Sequence, residues 1–115
     1  MQNDTNPQPV VAVVKDLMFG SKISATARAA GQAIVMLRDP AAALAQAGRL
    51  LLVDLSLPGA IEAAAGWKLA HQQRVVGFVS HVDTETIAKA RQAGLDQVLA
   101  RSAFNAQLES LINSR

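Results

Sequence analysis

The run Leu50-Leu51-Leu52-Val53-Asp54-Leu55-Ser56-Leu57-Pro58-Gly59 constrains the fold of this chain more than any other segment. Four aliphatic residues bounded by a Pro-Gly turn read as a strand buried on both faces, which belongs in a parallel sheet covered by helices on either side. One carboxylate, Asp54, leaves the end of that strand for the loop. Ligands of open parallel sheets bind outside the carboxyl ends of the strands, so Asp54 stands where a site is expected.

The rest of the chain repeats the same grammar. Val10 to Val14 predicts a first strand, and Ser21 to Ala30 a helix with Ile23, Ala27 and Ala30 on one face and Gly31 as its stop. Ala33 to Leu37 predicts strand two. Asp39-Pro40 then supplies an N-cap with proline at the first helical position, for a two-turn helix that Gly48 ends. After the Leu50–Asp54 strand comes a helix over Ile61 to Gln73, weakened by Gly66 at about 1 kcal/mol relative to alanine. Val75 to Ser80 is strand four; Asp83 caps a helix from Thr84 to Ala93, with Val82 and Ile87 spaced as a hydrophobic staple. Gln97 to Ala100 is a short strand five, and Gln107 to Asn113 the core of the last helix, with Leu108, Leu111 and Ile112 inward. Strict alternation with short links predicts right-handed crossovers and a doubly wound α/β fold of three layers around a five-stranded parallel sheet.

Composition narrows the function. The 115 residues make one domain, residues 10–115, behind a polar tail over residues 1–9 expected to be disordered and without the features of a signal peptide. Cysteine is absent, which removes disulfides, thiolate nucleophiles and zinc-thiolate sites and fits a reducing, cytoplasmic setting. No apolar run approaches the roughly twenty residues of a membrane span. The net charge is +2, but the basic residues are scattered and the aromatics are three Phe and one Trp, too few for a nucleic-acid stacking surface. The glycine-rich phosphate loops of the common dinucleotide and P-loop sites are missing, and no base-nucleophile pair suggests an enzyme. A small flavodoxin-like enzyme or cofactor binder using the same crevice is the remaining alternative of that kind.

Polar residues from four strand ends should converge: Lys15 and Asp16, Asp54, Ser80, and Arg101. With these in place, the chain resembles the receiver domain of two-component response regulators from about Val10 to Ile112. The resemblance implies a (βα)5 flavodoxin-like fold with strand order 2-1-3-4-5. It makes Asp54, followed by Leu57-Pro58-Gly59, the candidate phospho-acceptor, Asp16 the second acid of the metal site, and Ser80 the hydroxyl that senses the phosphoryl group. The other positions depart from the family pattern. Lys15 stands for the first acid, Arg101 for the lysine, Ser102 for the proline after it, Val98 for the switch aromatic, and His81 for a small residue, where it would gate the pocket.

Two carboxylates, Asp16 and Asp54, thus face two cations, Lys15 and Arg101, where a receiver has an excess of negative charge. Aspartyl phosphorylation uses Mg²⁺ held by several oxygens. Replacing an acid by a lysine about 5 Å from a divalent ion should cost several kcal/mol, so metal binding by Asp16 and Asp54 should be crippled. Such a pocket can still hold an anion directly. The expectation is that Lys15 and Arg101 pair with Asp54. A metal site at His81-x-Asp83 is set aside, because Asp83 serves as a cap and no third ligand is near.

These readings predict a stand-alone, atypical receiver-like signalling module that acts through contact with another protein, is not conventionally phosphorylated, and needs no cofactor. The alternative is a phosphorylatable single-domain regulator in a phosphorelay, with Asp54 as nucleophile, Asp16 as metal ligand, Arg101 as charge clamp, and Mg²⁺ required. By the resemblance, the partner surface is the face of Thr84–Ala93, Gln97–Ala100 and Gln107–Asn113, represented by Lys89, Val98 and Leu108. Leu17, Met18 and Phe19 are either buried helix-opening residues or an exposed apolar rim. Few charges lie on the outer faces of the alanine-rich segments Pro40 to Ala47 and Ile61 to Ala70, which leaves a homodimer open. Nucleic-acid and membrane partners are not expected.

Overall fold

A computed structural model of the chain describes residues 8–114. Most of the expected tail, residues 1–7, lies outside the described residues. Pro9 already belongs to the domain, since its carbonyl accepts the amide of Arg49 at 2.9 Å.

The elements in chain order are β1 (Val10–Val13), α1 (Leu17–Ala29), β2 (Ile34–Leu37), a single 3₁₀ turn (Pro40–Ala43), β3 (Leu50–Asp54), α2 (Ala60–His71), β4 (Arg74–Val79), α3 (Thr84–Gln92), β5 (Gln97–Ala100) and α4 (Arg101–Asn113). All strands are parallel, in the order β2-β1-β3-β4-β5. The expected three-layer doubly wound fold and strand order are both present.

Alternation along the strands divides the core in two. Val11, Val13, Leu51, Val53, Val75 and Val79 face the 3₁₀ turn, α2 and α3, where Trp67 and Ala64 meet them. Val10, Ala12, Leu50, Leu52, Val76 and Phe78 face the opposite way, toward Ile23 and Ala27 of α1 and Phe104, Leu108 and Ile112 of α4. β1 and β3 are buried at every position, as central strands covered on both sides must be.

Three boundaries differ from expectation. The helix expected from Ser21 begins at Leu17, capped by Asp16. The two-turn helix after Asp39 is one 3₁₀ turn, because the chain must turn back to bring Arg49 beside Pro9 and to offer the Gln46 carbonyl to Trp67 Nε1 at 2.8 Å. The last helix starts at Arg101 rather than near Gln107, directly after β5, and Phe104 in its first turn is fully buried.

At the amino end of β4 and β5, Asp96 joins three elements, taking the Val75 amide at 2.7 Å and the Lys68 ammonium at 2.9 Å. Partial burial pushes its carboxyl upward, but the bonds from Lys68 and Val75 outweigh this and hold it below the usual carboxylate range. Gly66 does not break α2, and a methyl group built there would meet only Leu44 Cδ1, at 3.7 Å. Gly66→Ala should therefore raise the unfolding free energy by about 0.5–1 kcal/mol, read from the urea midpoint. A loss instead would show that the space beside Leu44 is not free.

Candidate functional site

Four acids stand at the carboxyl ends of the strands, and each is used by its own backbone. Asp16 Oδ1 accepts the amides of Met18 and Phe19 at 2.9 and 3.1 Å. Asp39 Oδ1 accepts the Ala41 amide at 3.0 Å. Asp83 takes the amide and the hydroxyl of Thr86, at 3.1 and 2.7 Å, and those bonds hold its carboxyl below the usual range. Asp54 Oδ1 accepts both the amide and the hydroxyl of Ser56, at 3.0 and 2.7 Å. The first turn of a helix leaves amides without partners at the positive end of its dipole, so an acid just before it is drawn into capping.

Asp54 is the one buried charged or polar residue among the described residues, at 5 % exposure. Neither expected cation reaches it. Arg101 instead donates to Asp16 Oδ2 at 3.4 Å and lies over the Phe19 ring, 4.6 Å from its centroid. Lys15 is exposed and forms no ion pair among the described residues. The expected pairing of Lys15 and Arg101 with Asp54 is thus corrected. With α4 starting at Arg101, the guanidinium leans toward α1, where Phe19 offers an aromatic face and Asp16 an oxygen.

Ser80, His81 and Arg101 do converge. With Phe19, Ser102 and Asn105 they line a hollow of about 500 Å³ between β4, α1 and α4. Lys15, Asp16 and Asp54 are not in its wall; Asp16 borders a neighbouring hollow with Leu17 and Arg38. Sequence reasoning missed Asn105 and did not place Phe19 or Ser102 in this wall. The i, i+3 spacing of Asp16 with Phe19 marks a capped first turn, and Ser102 with Asn105 share a helix face once α4 is extended to Arg101.

The donor set does not fit Mg²⁺. Among the described residues no group of three or more His, Cys, Asp or Glu could hold a metal ion. Asp16 has one oxygen on helix amides and the other on a guanidinium, and Asp54 has one oxygen held by Ser56. Mg²⁺ needs near-octahedral oxygen coordination with carboxylates turned toward it. At this end of the sheet Leu17, Met18 and Val82 are exposed, at 73 %, 85 % and 73 %, so the apolar rim is real while Phe19 turns inward against Phe78 and Phe104.

Two residues of the expected partner face are corrected. Val98 is buried among the residues facing α2 and α3, and Leu108 is buried in the opposite core half against α1, so neither can meet a partner. Only Lys89 is exposed, with Glu85 at 3.7 Å.

Comparison of the sequence with protein-family models finds no match, and comparison with curated proteins finds none. The structure, by contrast, is similar to receiver domains over nearly its whole length. The phosphorylated cyanobacterial phytochrome response regulator RcpA matches with a TM-score of 0.74 at 19 % identity, over 94 % of this chain and 90 % of that one. The signal receiver domain of the response regulator NarL from Mycobacterium tuberculosis matches with 0.76 at 20 %, over 96 % and 100 %. The receiver domain of the sensor histidine kinase PA1611 from Pseudomonas aeruginosa, with a magnesium ion in its active-site cleft, matches with 0.73 at 19 %, over 95 % and 100 %. The chain therefore has the receiver fold.

Proposed function

We propose that this chain is a receiver-fold signalling module of the cytoplasm that acts by binding another protein and does not use metal-dependent phosphorylation of Asp54. The observation that carries this reading is the state of the acids. Asp16, which would hold the metal, is bound on both oxygens, and Lys15 occupies the place of its acidic neighbour. The exposed Leu17, Met18 and Val82 beside this site give a partner something apolar to bury.

The second reading, a phosphorylatable regulator with Asp54 as acceptor, is favoured by one feature. Asp54 Oδ1 takes both bonds from Ser56, and Oδ2 has no hydrogen-bond partner among the described residues. Acetyl phosphate with Mg²⁺, followed by intact-mass spectrometry, separates the two. The first reading expects no phosphoryl adduct and no response near Asp54 to Mg²⁺ and beryllofluoride. An adduct that Asp54→Asn abolishes would establish the second.

A further inference from the structure

The hollow beside Arg101 is built almost wholly from side chains that donate hydrogen bonds. Ser80, His81, Arg101, Ser102 and Asn105 surround it, with the Phe19 ring as its one apolar wall, and no carboxylate lines it. Little of that donor capacity is used. Of the five N–H donors of a guanidinium, Arg101 spends one on Asp16, at 3.4 Å. Ser80 Oγ only accepts, from the Val82 amide at 3.5 Å, so its proton is free. His81, Ser102 and Asn105 make no side-chain hydrogen bonds among the described residues. The Arg101 guanidinium carbon lies over the Phe19 ring, 4.6 Å from its centroid, a cation–π contact that lowers the ordering cost of any anion that binds it.

We propose that this hollow is a metal-free binding site for a small oxyanion, a carboxylate or a phosphate, held by the guanidinium of Arg101 together with Ser80, His81, Ser102 and Asn105. Guanidinium forks match carboxylate and phosphate oxygens in pairs, and neutral donors around them complete the anion's shell without adding repulsion. The ligand competes with Asp16 for Arg101. That competition is mild, because the existing pair is long and its side chains are 42 % and 50 % exposed. Asp16 therefore acts as an internal placeholder that an external anion displaces. The proposal stands apart from the question of Asp54 phosphorylation, since Asp54 does not line the hollow.

The test is a titration of the full chain with inorganic phosphate and, separately, with acetate, in the presence of EDTA, followed residue by residue by NMR. Saturable shifts at Ser80, His81, Ser102 and Asn105 are expected with at least one anion; phosphate alone assigns a phosphate ligand, and acetate as well assigns a carboxylate. Arg101→Gln should weaken binding at least about tenfold, as loss of a charge-assisted bond does. Asp16→Asn keeps the α1 cap, because Asn caps as well as Asp, and should tighten binding about two- to fivefold by removing the competitor. Asn105→Asp, on an exposed position, should weaken it by placing a like charge in the wall. The proposal is overturned by the absence of saturable shifts with either anion, by shifts that centre on Asp54 or need Mg²⁺, or by an Arg101→Gln form, folded by its spectrum, that binds as the parent does.

Discussion

Trp67→Ala is expected to lower the unfolding free energy by about 3–5 kcal/mol, against a total of about 5–15 kcal/mol for a typical domain. The indole is fully buried against the sheet face shared by the 3₁₀ turn and α2. Its Nε1 proton goes to the Gln46 carbonyl, and the His71 ring packs at 5.0 Å. Gly48 lies close by, where a methyl group would sit 3.5 Å from the indole and only 2.8 Å from the Pro9 carbonyl oxygen. The tryptophan is thus the peg around which the chain turns from β2 into β3. Alanine leaves a void and frees the Gln46 carbonyl. Urea unfolding followed by far-ultraviolet circular dichroism measures the loss, since the variant has no tryptophan to report. A loss under about 1 kcal/mol would mean that the turn collapses onto α2 and that the indole is dispensable.

The second large effect concerns Lys15. Lys15→Asp should raise affinity for Mg²⁺ at least about tenfold over the parent, even with the attraction reduced by water and salt. The substitution exchanges a cation for a carboxylate next to Asp16 in the chain, at the end of a strand that neighbours the one ending in Asp54. At that point the divalent ion gains what Arg101 now supplies to Asp16, and the exposed ion pair between them is cheap to give up. Calorimetry of both proteins with Mg²⁺ decides the matter. If the parent binds Mg²⁺ as tightly as the variant, the charge at Lys15 does not control the site, and the reading of the domain as metal-independent falls with it.

The fold was legible because its signals are local and redundant. β3 announces itself by an unbroken aliphatic run, and Asp83 by its place before a polar, capped helix; both are found where expected. The two misplaced helix starts have opposite causes. Asp16 is a sound cap for α1, but the same residue type in the same place also suits a metal site, so its identity alone does not mark the helix start. α4 has no capping side chain at all, since Ala100 precedes it, so nothing local marks its start; the burial of Phe104 sets it. Arg101 opens that helix and reaches Asp16 rather than Asp54. Side-chain direction depends on where a helix begins and on which face of the sheet a residue takes, and position along the chain does not reveal it for Val98 and Leu108, which are buried, whereas Lys89 is exposed.

The missing loop between β5 and α4 has a consequence of its own. Ala100 ends the strand and Arg101 opens the helix, with no residue between them to absorb rotation. Where a longer connection would add rotatable bonds between strand and helix, this joint adds none. A ligand engaging Arg101 would be met by a swing of its side chain from one acceptor to another, or by a tilt of strand and helix together.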